Sequence, residues 1–278
     1  MKILIIGGAG FIGSHLCEAY AESDEVTSID NYISGKKDNH INNVEYINMD
    51  AKNICKLDKK FDLIFHLGEY SRVEQSLKKI DFVLENNSTP ILNILRFTKK
   101  CQAKLIYAGS STKFADEGHN KFQSPYAFSK WQNSELVKFY CELNNMPYAI
   151  TYFYNVYGGR ENHEGEFATV IAKFLHRKKN NEKLLVTKPG TQTRNFTHID
   201  DTIRALQLIA NNGVGDEFGI ANKKKYPIID VAKLISDQID YTEENSANRM
   251  DSELLTKKTY DLGWEAKIEL FDYIKNQI

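Results

Sequence analysis

The sequence carries little that would tie it to a disulfide framework, a metal knuckle, a membrane or a nucleic acid. Its four cysteines, Cys17, Cys55, Cys101 and Cys141, lie far apart with no C-x-x-C pair. They read as free thiols in a reducing cytosol, and no metal site is expected. Charge of one sign is missing too: Lys+Arg 36 against Asp+Glu 37 leaves a formal net charge of -1. No global field therefore attracts a phosphate backbone or an anionic lipid surface. The first apolar run stops at Gly7 without the flanks of a signal peptide, and no later run approaches the roughly 20 residues of a spanning helix. The expectation is a cytoplasmic protein with no nucleic-acid or membrane partner. There is no internal repeat. The biased stretches, Arg177–Lys183 and Lys223–Lys225, read as solvated surface, a basic binding patch being the alternative for the second.

What is present is enough apolar material, 42% of 278 residues, for a sizeable core. β-rich runs recur at Lys2–Ile6, Val26–Ile29, Val44–Asn48, Asp62–His66, Lys104–Ala108 and Tyr148–Phe153, and several of the intervening segments have helical length and spacing. Runs such as Ile3-Leu4-Ile5-Ile6 are apolar on both faces, as in a parallel sheet covered by helices on both sides. The expected fold is α/β, a Rossmann-type doubly wound sheet over residues 1–155. A smaller substrate-binding lobe is expected over residues 156–278, where the rhythm breaks, with the chain crossing back later.

Ile3–Ile6 runs into Gly7-Gly8-Ala9-Gly10-Phe11-Ile12-Gly13 and then a helical segment, Ser14–Glu22. Glycines at a first strand-to-helix turn let the backbone approach a pyrophosphate, whose charge meets N–H groups and the positive helix end. A tight glycine turn is the alternative for the motif alone. Asp30 ends the second strand, placed to accept from both hydroxyls of an adenosine ribose and to repel a 2′-phosphate, so NAD is expected over NADP. Asp50, after the third strand, is placed to reach adenine, or is an ordinary cap.

Tyr126 and Lys130 are four apart behind Ser124-Pro125, a good N-cap and first helical residue, so both side chains share one helix face. The strand Lys104–Ala108 delivers Ser110, Ser111 and Thr112 to the carboxyl edge of the sheet, where the cofactor lies. A tyrosine acts as a base only as phenolate, and lowering its pKa from about 10 to about 7 takes about 4 kcal/mol. One cation at contact distance, with an effective dielectric near 20, supplies about that much.

The glycine turn, Asp30, His66-Leu67-Gly68-Glu69, Ser110 and Tyr126-Ala127-Phe128-Ser129-Lys130 resemble the extended short-chain dehydrogenase/reductases that act on nucleotide sugars. Tyr154-Asn155-Val156-Tyr157-Gly158-Gly159-Arg160, Gly165–Val170, Gly190–Asp201 and Leu262-Gly263-Trp264 resemble further segments of the sugar-nucleotide epimerase/dehydratase family, with UDP-glucose 4-epimerase-like members closest. The resemblance implies that Ser110 binds the sugar hydroxyl, Tyr126 exchanges its proton, and Lys130 binds nicotinamide ribose while tuning Tyr126. It places Phe11, Ile12, Asn31, Ala51, Leu67, Gly68 and Asn87 on the dinucleotide. Thr112, Asn155, Ala168, Thr169, Arg194 and Arg249 fall to the substrate. A homodimer through the Tyr126–Tyr140 helix is a further implication, with Leu136, Val137, Phe139 and Tyr140 as its apolar surplus.

His66 reads as a strand-end residue and His198 with Asp200 and Asp201 as a strand-to-helix cap. Ser111 and Thr112 replace the Asp-Glu pair of the dehydratase branch, which disfavours ordinary 4,6-dehydration. Gly68-Glu69 replaces two alanines, Lys113-Phe114 replaces Val-Tyr, and Gly159 replaces a proline. Lys113 and Glu69 are expected near the active-site edge, where they bear on the sugar specificity. The leading expectation is a UDP-hexose 4-epimerase working through a 4-keto sugar. The alternatives are another nucleotide-sugar dehydrogenase, decarboxylase, dehydratase or epimerase. A non-catalytic NAD-binding protein, which would lack the Ser/Tyr/Lys set, is the alternative of a different class.

Overall fold

The computed structural model describes residues 1–114, 121–243 and 254–278. In the first half the elements run β1 (Lys2–Ile6), α1 (Phe11–Tyr20), β2 (Glu25–Asp30), β3 (Val44–Asn48), β4 (Leu63–His66), α2 (Val73–Ser76), α3 (Ile80–Cys101), β5 (Lys104–Ser110), α4 (Pro125–Leu143) and β6 (Tyr148–Phe153). All six strands read from the sequence are present, with ends moved by at most two residues. The first helix starts earlier than its apolar spacing suggested, because Gly10 is its N-cap.

The second half runs β7 (Val156–Tyr157), α5 (Val170–Lys179), β8 (Leu184–Thr187), β9 (Thr193–Asn195), β10 (Thr197–His198), α6 (Ile199–Asn212), β11 (Gly215–Ile220), β12 (Lys225–Pro227), α7 (Ile228–Ile235), β13 (Ile239–Thr242), α8 (Lys257–Asp261) and α9 (Leu270–Lys275). The chain does cross back. β11 joins the main sheet as its seventh strand, in the order β11-β6-β5-β4-β1-β2-β3, every pair parallel. Strand order reverses between β1 and β4, which opens a crevice at the carboxyl edge there.

The doubly apolar strands divide their side chains between two cores by the period-2 rule. Leu4, Ile6, Ile64, Leu105 and Ile150 pack with Ile91, Ile94, Leu95 and Val137 of α3 and α4. Ile3, Ile5, Phe65 and Ile106 pack with Leu16, Ile203, Leu206 and Ile209 of α1 and α6. A third core holds the lobe together around Tyr157, Phe174, Val186, Phe196, Val231 and Ile274. His198 caps α6, its Nδ1 accepting from the Asp200 N–H at 3.2 Å. Trp264 anchors the last stretch by donating Nε1–H to the Asp201 carbonyl at 2.9 Å. All four cysteines are free. Among the described residues no helix is long and apolar enough to cross a membrane.

Candidate active site

One large cleft, about 1390 Å³, runs along the carboxyl edge of the sheet between the two halves. Its nucleotide end is built by backbone. Gly7 sits at φ +89°, and a Cβ there would stand 2.7 Å from the Gly68 backbone; one on Gly13 would run into the Gly7 carbonyl. No side chain caps α1 at Gly10, which leaves its first N–H groups open to an anion. Asp30 accepts from Ala9 N at 3.0 Å and Tyr32 N at 2.8 Å and lines the cleft. Burial pushes its carboxyl up, and the two N–H bonds offset part of that. These groups fit a dinucleotide.

Gly7, Gly10, Phe11, Ile12, Gly13, Asp30, Asn31, Leu67 and Gly68 all line the cleft. Asp50, Ala51 and Asn87 are not brought to that wall. Asp50 caps the short turn Ala51–Lys56 by accepting from Lys52 N at 2.9 Å. Asn87 is fully buried, bonded to the Tyr70 backbone and to Ser129 Oγ, where it ties the β4–α2 loop to α4.

At the middle of the cleft β5 and α4 converge. Ser124 caps α4 by accepting from Ala127 N at 3.1 Å, with Pro125 at the first helical position, so Tyr126 and Lys130 lie one turn apart. The Tyr126 hydroxyl donates to Ser110 Oγ at 3.1 Å, and Ser110 Oγ lies 2.9 Å from Thr112 Oγ1, forming a hydroxyl relay. Lys130 Nζ donates to the Ala108 carbonyl and, at 2.7 Å, to Glu69 Oε2.

Glu69 was marked in the sequence only as a departure. Its side chain is 1% exposed and pairs with Lys130 at the cleft wall. Tyr107 OH donates to it at 3.0 Å and Asn133 Nδ2 at 3.0 Å, and His66 Nε2 stands 3.2 Å away. Burial pushes this carboxyl up, but the Lys130 charge and the His66 and Lys130 contacts outweigh it and hold it well below the usual range. The available signal was a glutamate at the end of a strand whose neighbours deliver the catalytic groups. Lys113 does not reach the cleft wall; its ammonium pairs with Glu135 at 2.8 Å and Asp216 at 3.1 Å.

The far wall holds Thr112, Asn155, Ala168, Thr169 and Arg194. Asn155, at φ 40°, donates Nδ2–H to the Asn195 carbonyl at 2.9 Å. Arg194 Nη1 donates to Thr193 O at 2.8 Å. Arg249 lies outside the described residues. Two charged groups not singled out from the sequence join this wall, Arg72 and Glu161. Glu161 accepts from Gly158 N at 2.8 Å and from the Thr169 hydroxyl, and burial pushes it up to about 7. At the rim, ligand atoms of His163, Glu164 and His176 lie within 4.8 Å of one another, the one such trio among the described residues; His176 Nε2 and Glu164 Oε1 are 2.9 Å apart.

A glycine turn that fits a dinucleotide, the Asp30 carboxylate and the Ser110, Tyr126 and Lys130 side chains thus meet in one cleft of a Rossmann-type sheet. Residues 3–221 match the model of the NAD dependent epimerase/dehydratase family, and the chain belongs to that family. It is 30% identical over 301 residues to a Methanocaldococcus jannaschii protein provisionally named a UDP-glucose 4-epimerase, covering 99% of this chain and 97% of that one. It is also 30% identical over 253 residues to a UDP-N-acetyl-alpha-D-glucosaminuronate decarboxylase of Bacillus cytotoxicus, covering 84% and 78%. The structure is similar to that of the Thermotoga maritima UDP-glucose 4-epimerase with UDP-glucose, with TM-score 0.92, 25% identity, and coverage of 99% of this chain and 96% of that one.

Proposed function

We propose that the protein is a nucleotide-sugar 4-epimerase, with a UDP-hexose as substrate. The observation that carries this reading is the Tyr126–Ser110 hydrogen bond at 3.1 Å, flanked by hydroxyls at Ser111 and Thr112 where dehydration needs an acid pair. NAD, when bound, supplies the hydride acceptor and donor. Tyr126 takes the proton of the sugar C4 hydroxyl as a carbonyl forms there, and Ser110 holds that oxygen. The 4-keto sugar turns in the wide cleft, and Tyr126 returns the proton on the other face, with no net redox change. Asn155, Thr169 and Arg194 are the groups offered to the nucleotide diphosphate, for which Arg194's fork of donors is suited.

The test is a panel of nucleotide sugars followed by NMR. A UDP-hexose and its C4 epimer should interconvert with C4 deuterium retained, and Tyr126→Phe should lower turnover by about 10²–10⁴-fold while NAD stays bound. Wash-out of C5 deuterium, loss of the 6-hydroxyl or stoichiometric NADH release would refute this reading.

One observation favours a second reading. Arg72 lines the same cleft, donates only to the carbonyls of Ser71, Glu166 and Phe167, and has no carboxylate at ion-pairing distance among the described residues. A cation so placed suits a uronate. A 4-keto uronate is a β-keto acid that loses carbon dioxide readily, so UDP-uronates in the same panel separate epimerisation from decarboxylation.

We also propose a homodimer through α3 and α4. Phe139 is 65% and Leu143 70% exposed, whereas Val137 is in the core, so the apolar surplus on α4 is smaller than its sequence suggests. Light scattering at micromolar concentration should give twice the chain mass.

A further inference from the structure

We infer that Glu69 is a positioning residue for the catalytic pair: its carboxylate fixes the Lys130 ammonium and partly neutralises it, so that Tyr126 ionises at a higher pH than beside an unpaired lysine. The inference rests on the reading of Tyr126 as the proton carrier.

The geometry allows little else. An ammonium has three N–H groups. Glu69 Oε2 and the Ala108 carbonyl take two of those on Lys130, and one remains among the described residues. The carboxylate cannot swing away to water, because its side chain is 1% exposed and both oxygens are engaged. A lone cation acts on a neighbouring phenolate as a point charge, whereas a cation with an anion 2.7 Å away acts as a dipole, whose field falls off faster.

The groups facing the pair come from every element around it. His66 comes from β4, with both ring nitrogens buried and outside hydrogen-bond geometry. Tyr107 comes from β5, its ring 5.1 Å from Lys130 Nζ. Asn133 comes from α4, and Asn87 of α3 holds Asn133 from behind through its carbonyl. On the cleft side Tyr126 meets Ser110, and the Arg72 charge acts on Tyr126 from the β4–α2 loop.

The experiment is an ultraviolet difference titration of phenolate, with and without NAD, in which the Tyr126→Phe protein is subtracted to isolate Tyr126. It is run on the parent, Glu69→Gln and Glu69→Ala. Glu69→Gln keeps the shape and the acceptor for Lys130, so a folded variant is at hand if Glu69→Ala does not fold. The Tyr126 signal should move to lower pH by about one unit in Glu69→Gln. The acid limb of kcat should move with it, at nearly constant KM. A carboxylate that only supports packing would lower the melting temperature and leave the titration in place. A folded Glu69→Gln protein whose Tyr126 signal does not move, or moves upward, overturns the inference. Because the titration needs no sugar, a moved signal without UDP-hexose turnover refutes the 4-epimerase reading and leaves the role of Glu69 standing.

Discussion

Two buried glutamates line the cleft, and they hold their protons in opposite ways. Glu69, on the nucleotide side, is kept anionic by Lys130 at 2.7 Å, while Glu161, on the substrate side, is offered hydrogen bonds and is pushed up to about 7. Burial drives both carboxyls upward, so depth alone does not decide the charge. A cation at contact distance outweighs desolvation; the Thr169 hydroxyl, the Gly158 N–H and the more distant charge of Arg72 offset only part of it. Near neutral pH the nucleotide side carries a fixed ion pair, whereas the substrate side carries a group that gains or loses its proton within the physiological range.

The contrast is most exposed to Lys130→Met, which removes the cation and leaves Glu69 buried. Urea unfolding at pH 8 should show a loss of about 3–5 kcal/mol. The loss should be smaller at pH 5, where the stranded carboxyl takes a proton. Equal losses at the two pH values would mean that Glu69 does not depend on Lys130 for its charge.

Next in size is the pH dependence owed to Glu161. Its folded value, about 7, lies above its ordinary 4.5, so the folded protein keeps a proton that the unfolded chain has released. That contribution is fully present below about 4.5 and is lost as pH rises through about 7, amounting to about 3 kcal/mol. Glu161→Gln should flatten this fall in melts taken between pH 5 and 8. Glu69 has the opposite sign: its contribution is present above the ordinary glutamate range and is lost as pH falls below it.

Asp30 extends the comparison to a third carboxylate, buried but held by two backbone N–H groups and, among the described residues, no cation at contact. Asp30→Ala should weaken NAD by about 10–100-fold in calorimetry, the size of a charged hydrogen bond, and relax discrimination against NADP. The smallest effect belongs to Thr169→Val. Deleting one donor to Glu161 should cost about 1 kcal/mol above pH 7 and move the Glu161 titration further upward.

Much of this could be read before any coordinates. The first six strands were legible as short β-rich runs, several of them apolar on both faces, and α4 because Ser124-Pro125 is a helix start with a mechanism. α3 carries Asn86-Asn87-Ser88-Thr89-Pro90 in its interior, which local preference disfavours. The helix runs through it, since Pro90 is buried and Asn87 is held by Tyr70 and Ser129 from other elements. Tertiary contacts override local preference there. In the site, residues in motifs with a stated task were nameable in advance. Arg72 and Glu161 were not singled out, and Glu69 was noted without its partner. Their meaning lies in neighbours 61 residues away for Glu69 and Lys130, and 94 or 95 for Arg72 with Glu166 and Phe167.

The late arrival of β11 shapes how the molecule is made. During synthesis β6 has emerged long before Gly215–Ile220, and until then its Tyr148–Phe153 edge has no neighbour on that side. An unpaired parallel edge is a template for another nascent chain. The segment from β7 through α6 must be translated before that edge is covered, so the most aggregation-exposed interval falls between translation of residues 153 and 215. A polypeptide cut after residue 155 keeps the glycine turn and the Tyr/Lys pair but leaves the edge bare. It should be recovered chiefly as aggregate, while one ending after residue 220 has all seven strands of the sheet.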